Sequence, residues 1–167
     1  VVFKHQPLQF HPNAHIAAEA AMAAHSQGKF WEYHYKLFEN SNKLSRPLLT
    51  KLAREVGLDV TRFDNEMNSR LYKTAVDIDI KEAGRVGANA TPAFYINGIR
   101  ILGARPFFRF KIAVDAALAG KPIPSPDAAR KGTGPVDVWL GQRPAEFGPR
   151  NAKVRIIEFS DFECGFC

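Results

Sequence analysis

The sequence predicts an α/β fold in which β-rich segments enclose a block of helices, and three observations predict it. A short apolar β-rich run opens the chain, and about 70 residues with helical spacing follow it. The segment from Thr91 to Leu102 then alternates around Asn97-Gly98, a strong hairpin signal because Asn-Gly accepts the positive φ angles of a tight turn. Lastly, Val154-Arg155-Ile156-Ile157-Glu158-Phe159 is a strand candidate leading straight into Cys164-Gly165-Phe166-Cys167.

Each element can be justified in order. Val1 to Lys4 is rich in β-formers and is closed by a turn around Pro7 and Pro12. From Asn13, the residues Ile16, Ala17, Ala20, Ala21, Ala23 and Ala24 share one helix face up to Gly28, a C-cap candidate. Phe30, Trp31, Tyr33, Tyr35, Leu37 and Phe38 form an aromatic second helix, which reads as core rather than as a ligand box. A third helix runs from about Pro47 to Val56, and a fourth from about Thr61 through Leu71 to Ala83. Beyond the hairpin, Pro106 opens a helix with Phe107, Phe110, Ile112, Val114 and Leu118, ending at Gly120. Pro122, Pro124, Pro126 and Pro135 mark residues 121–135 as an extended linker, and Val136 to Leu140 is a further short strand candidate.

Composition narrows the function classes. The chain of 167 residues is 46% hydrophobic, with no apolar run near the roughly 20 residues of a membrane span. The net charge of +6 is dispersed among 23 basic and 17 acidic residues, which suits solubility and gives no nucleic-acid stripe. Val1-Val2-Phe3 begins inside an apolar run with no leading methionine, so the natural protein is expected to start upstream.

Two cysteines exclude a disulfide-built scaffold, so their spacing carries the information. In thiol–disulfide exchange one thiolate attacks a substrate sulfur and a second, about one helical turn away, resolves the mixed disulfide. If Cys164 enters a helix, the unpaired N–H groups there lower its pKa from about 8.5 towards about 3.5–7.5. Cys164 is then the nucleophile and Cys167 the resolving, more buried partner. The same pair would be half of a zinc site, but no second cysteine pair exists, and His5, His11, His15, His25 and His34 have no matching ligand spacing. No metal and no cofactor is expected. Thr91-Pro92 is either an ordinary trans bond at a strand edge or a cis bond turning backbone groups toward a site. Glu158 either faces solvent or lies buried near the thiols with a raised pKa.

At this point the residues resemble a known family. Glu158-Phe159-Ser160-Asp161-Phe162-Glu163-Cys164-Gly165-Phe166-Cys167 is similar to the first strand and active site of DsbA-like thioredoxins, and Phe3-Lys4-His5-Gln6-Pro7-Leu8 to their second strand. Gln27-Gly28-Lys29-Phe30-Trp31-Glu32-Tyr33-His34 resembles their inserted helical subdomain, and Gly87-Ala88-Asn89-Ala90-Thr91-Pro92-Ala93-Phe94-Tyr95-Ile96-Asn97-Gly98 the segment bearing the cis-proline. The resemblance implies a thioredoxin-like α/β fold with an inserted all-helical subdomain at about residues 13–83 and the cysteine-bearing strand at the C-terminus. It also implies that Cys164 is the nucleophile, Cys167 its partner, Glu158 the buried acid below them, and Thr91-Pro92 a cis-proline loop that binds substrate with Gly165 and Phe166. The implied activity is disulfide exchange with cysteines of extracytoplasmic, for example periplasmic, proteins, with a membrane redox partner if the protein is an oxidase. A non-catalytic protein-binding module and a metal-binding chaperone are the alternatives.

The order of segments departs from the family, in which the cysteine strand comes first and leads into a long helix. Two arrangements follow: residues 1–120 as one module, 121–135 as a linker and 136–167 as the start of a second, tandem module; or a permutation completing the first module's sheet. The tandem arrangement is favoured by the linker composition. In either, Val154 to Phe159 is expected to fill a gap in the sheet, within the chain or by strand exchange with another copy. Without the following helix, the chain alone is expected to be a weak catalyst.

Overall fold

The computed structural model describes residues 1–124, 134–141 and 144–167. Residues 125–133 of the expected linker therefore lie outside the described residues. Two compact units are present, one made by Val1–Lys4, Glu82–Ser160 and Phe166, the other by His5–Lys81, Asp161–Gly165 and Cys167.

The first unit is built on a five-stranded sheet. Its strands are β1 (Val2–His5), β2 (Ala93–Ile96), β3 (Ile99–Leu102), β4 (Ala145–Glu146) and β5 (Ile156–Ser160), in the order β3-β2-β5-β1-β4. The expected hairpin is present: β2 and β3 pair antiparallel with Ile96 opposite Ile99, and Asn97 and Gly98 both take positive φ. The cysteine-bearing strand β5 is central, pairing antiparallel with β2 so that Ala93 faces Phe159 and Ile96 faces Ile156. Expected at Val154 to Phe159, it begins two residues later. The side-chain oxygen of Asn97 accepts from Arg155 N at 2.8 Å, so a turn side chain holds the approach to the strand.

Val136 to Leu140 is not a strand, contrary to the sequence expectation. Its backbone groups bond elsewhere: Val136 N donates to Gly98 O at 3.0 Å, and Trp139 N to the Glu82 carboxylate at 2.7 Å. The β-forming residues serve burial instead, with Val138 entering a core made by Val2, Ala83, Val86, Tyr95, Ile157 and Phe159. Gly98 is required at this crossing, because a Cβ there would meet the Val136 carbonyl at 2.7 Å and its φ is +85°. Tyr95 anchors the same core by donating to Val86 O at 2.8 Å, a buried hydroxyl with its partner supplied. A second core joins Ile96, Ile101 and Ala113 on one of the helices, α6 in chain order (Phe107–Leu118), with Phe94 and Phe110 packed edge to face at 4.8 Å.

The helical unit contains α1 (Ala14–Ser26), α2 (Phe30–Glu39), α3 (Arg46–Glu55) and α4 (Val60–Asn68); α5 (Lys73–Val86) begins in it. The small face of α1 is fully buried at Ala17, Ala20, Ala21, Ala23 and Ala24, which admits close helix approach. Aromatic α2 is core as expected at Phe30, Tyr33 and Leu37, and Tyr33 donates to Leu49 O at 2.9 Å. Asp59 caps α4 by accepting from Arg62 N at 2.9 Å.

The fourth helix expected from Thr61 to Ala83 is two helices, α4 and α5. The chain turns at Arg70, whose φ is +54°, with Arg70 N bonded to Met67 O and Leu71 N to Glu66 O, both at 3.1 Å. This hydrogen-bond pattern also ends α1, where Gly28 holds the left-handed position with Gly28 N on His25 O and Lys29 N on Ala24 O. Glycine announces the first stop in the sequence; arginine conceals the second. The local cost of a left-handed arginine is offset by a tertiary pair: Arg70 Nε donates to Oε2 of buried Glu19 at 2.8 Å, and its terminal nitrogen to Oε1 at 2.5 Å. His15 adds Nδ1 to Glu19 at 2.8 Å and Nε2 to Asp77 at 3.0 Å.

Candidate active site

The central strand delivers the cysteine segment. Glu158 lies in β5 opposite Phe94, partly buried, and burial pushes its carboxyl above the usual range. At the same end of the sheet the Thr91–Pro92 peptide is cis and Pro92 is buried. The β2–β5 register continues from Ala93 opposite Phe159, which puts Pro92 beside Ser160, the residue that precedes the cysteine segment. Glu158 and Thr91-Pro92 thus belong to the sheet unit, whereas Cys164, Gly165 and Cys167 belong to the helical unit.

After Ser160 the chain leaves the strand and makes two successive turns. Cys164 N donates to Asp161 O and Cys167 N to Cys164 O, each at 3.1 Å. Cys164 is buried and Cys167 exposed. This reverses the expected burial order. The first turn draws Cys164 back toward Asp161, and the second carries Cys167 outward. Cys164 stands between two turns, Phe162–Glu163 and Gly165–Phe166. Gly165 and Phe166 are both exposed, Phe166 at 80% of its surface.

Side chains that spacing did not single out hold this loop. Asp161 is fully buried: Oδ2 accepts from Leu8 N and lies 2.7 Å from His11 Nδ1, and Oδ1 accepts from Glu163 N at 2.8 Å. Glu163 in turn accepts from Asn13 N at 2.7 Å and from Asn13 Nδ2 at 3.1 Å. Between the two acids, Phe162 enters an aromatic cluster, with ring centroids 5.0 Å from Phe38, 5.7 Å from His34 and 6.0 Å from His5. Asp161 and Glu163 were visible within the motif, but their partners at positions 8–13 lie about 150 residues away, and no local pattern points to them.

His34 has the largest resolved perturbation around this loop. Burial lowers its pKa to about 4, since Phe30, Trp31, Tyr35, Phe38 and Phe162 surround the ring and offer poor solvation to an imidazolium. The unfolded chain takes up this proton below about 6.5, while the folded chain resists until about 4. Stability is therefore lost as pH falls through that window. His34→Leu is expected to abolish roughly 2–3 kcal/mol of that acid-side loss. Denaturant unfolding of both proteins between pH 7 and 4 checks this; parallel curves would refute it.

A family model described as the DSBA-like thioredoxin domain matches residues 1–115. The chain belongs to this family. The DSBA-like domain is also 36% identical over 120 residues to a protein named Na(+)/H(+) antiporter NhaA 1 of Salinispora arenicola, covering 71% of this chain and 18% of that protein. It is 39% identical over 103 residues to a Na(+)/H(+) antiporter NhaA of Herminiimonas arsenicoxydans, covering 62% of this chain and 16% of that protein. The chain thus corresponds to less than a fifth of the length of these curated relatives. No solved structure matches it. Among the described residues no helix is long and apolar enough to cross a membrane, and no three His, Cys, Asp or Glu side chains converge as a metal site.

Proposed function

We propose that the DSBA-like domain is a thiol–disulfide oxidoreductase acting on cysteines of extracytoplasmic proteins through Cys164 and Cys167. The observation that carries this reading is a C-x-x-C pair following the central strand of the sheet in a chain of the DSBA-like family. The chemistry is a pair of sulfur displacements. The Cys164 thiolate attacks one sulfur of a substrate disulfide; a Cys164–substrate disulfide forms and the other substrate sulfur leaves as a thiolate that takes up a proton. The Cys167 thiolate then attacks Cys164 Sγ, closing the intramolecular disulfide and releasing the second substrate thiol. The substrate gains the two electrons that the cysteine pair loses, and the reverse sequence oxidises a dithiol substrate.

In this mechanism Gly165 and Phe166 present the turn to the substrate, and the backbone at Thr91-Pro92 pairs with an extended substrate segment. Glu158, whose carboxyl is pushed up by burial, accepts or returns a proton during the exchange. The name carried by the antiporter relatives describes proteins more than five times the matched length, so it lends the chain no transport role.

Redox titration against glutathione, followed by mass spectrometry of alkylated thiols, tests the proposal. The expected result is a two-electron equilibrium between Cys164–Cys167 dithiol and disulfide, together with catalysed reduction or oxidation of a peptide disulfide above the glutathione background. A pair that oxidises no substrate, reduces none and still binds unfolded protein would instead favour a non-catalytic binding module. Stoichiometric metal retention would favour the chaperone.

A further inference from the structure

We infer that Asp161, together with His11, is a positioning pair that fixes the cysteine turn and sets the accessibility of Cys164; the consequence for catalysis rests on the function proposed above. Asp161 lies three residues before Cys164, and its side chain is fully buried in the helical unit. A buried carboxylate is costly unless its oxygens are occupied, and here three groups occupy them: Leu8 N at 2.7 Å, His11 Nδ1 at 2.7 Å and Glu163 N at 2.8 Å. Two of the three come from a segment far away in the chain, and the third is the backbone of the turn itself. The main-chain oxygen of the same residue accepts from Cys164 N. Asp161 therefore ties the turn to residues 8–11 with its side chain and holds the cysteine with its backbone.

The pattern is specific to a carboxylate. Oδ1 and Oδ2 both face N–H donors, so an asparagine in either orientation would turn its NH2 group against a donor. Glu163 repeats the arrangement one step later on Asn13; Asp161, Phe162 and Cys164 are the buried members of the segment and Gly165, Phe166 and Cys167 the exposed ones. Among the described residues His11 is the one side chain bonded to Asp161, and its ring packs at 4.5 Å on exposed Phe10. Loss of this pair frees the turn without touching either sulfur.

The test is the alkylation rate of Cys164 by iodoacetamide in a Cys167→Ser background, compared with Asp161→Asn and His11→Ala added separately, and with Asp77→Asn as a control in the same unit. Charge-assisted hydrogen bonds lost from a buried carboxylate should speed alkylation about tenfold in Asp161→Asn and by a smaller factor in His11→Ala. The control should leave it unchanged. In the proteins retaining both cysteines, the equilibrium constant with glutathione should shift in the same rank order. His11→Ala removes one bond of three, so it decides the matter if Asp161→Asn does not fold. Alkylation rates within twofold of the parent in folded variants overturn the inference. If the parent exchanges no disulfide at all, the proposed function fails while the alkylation series still decides the positioning role.

Discussion

Replacing Cys164 with serine is expected to lower disulfide exchange by on the order of a thousandfold or more, to background, because a hydroxyl remains protonated where a thiol ionises and its oxygen forms no sulfur–sulfur link. Cys167→Ser has a different expected signature. The first displacement persists, the resolving thiol is absent, and a covalent Cys164–substrate disulfide accumulates. Non-reducing gel electrophoresis with a cysteine-containing peptide, followed by mass spectrometry of the adduct, reads both variants. The pair of results also settles the roles of the two sulfurs. Cys164 is the buried one and Cys167 the exposed one, so accessibility alone would have Cys167 attack first. An adduct trapped by Cys164→Ser, and none by Cys167→Ser, would reverse the assignment.

The second large effect concerns the two phenylalanines of the cysteine segment. Phe162→Ala is expected to destabilise the protein by about 3–5 kcal/mol, since deletion of a buried aromatic ring removes its transfer free energy and leaves a cavity. Phe162 is 1% exposed, and the cavity would open among His5, His34 and Phe38, rings already fixed by their own helices and strand. Phe166→Ala, four residues later, should change stability by no more than about 0.5 kcal/mol because the ring lies in solvent. If Phe166 contacts substrate, its loss appears in the KM for a peptide and leaves the unfolding curve in place. Urea unfolding followed by tyrosine and tryptophan fluorescence checks both variants, and equal midpoints for Phe162→Ala and the parent would contradict the burial argument.

How far the sequence could lead is clearest where two similar features came out differently. The stops at Gly28 and Arg70 share one backbone geometry and one hydrogen-bond pattern. Only the first was legible, because glycine is the residue that local energetics select for a positive φ. Arg70 takes that conformation with the help of Glu19, about fifty residues away, and no window around residue 70 contains that carboxylate. The hairpin at Asn97-Gly98 was readable for the same reason as Gly28: its turn chemistry is local. Val136 to Leu140 had β-forming residues, yet its N–H groups found Gly98 O and the Glu82 carboxylate first, and burial of Val138 did not require a ladder.

The candidate site divides along the same line. The sequence by itself determined the cysteine pair, the strand that precedes it, the Thr91-Pro92 step and the family, since each is written in adjacent residues. Tertiary structure alone decided that β5 sits between β2 and β1, that Cys164 rather than Cys167 is buried, and that Asp161 and Glu163 hold the turn through residues 8–13. Propensity and turn chemistry act over a few residues and leave a local record, whereas burial and the satisfaction of a buried carboxylate depend on groups that only folding brings within hydrogen-bond distance.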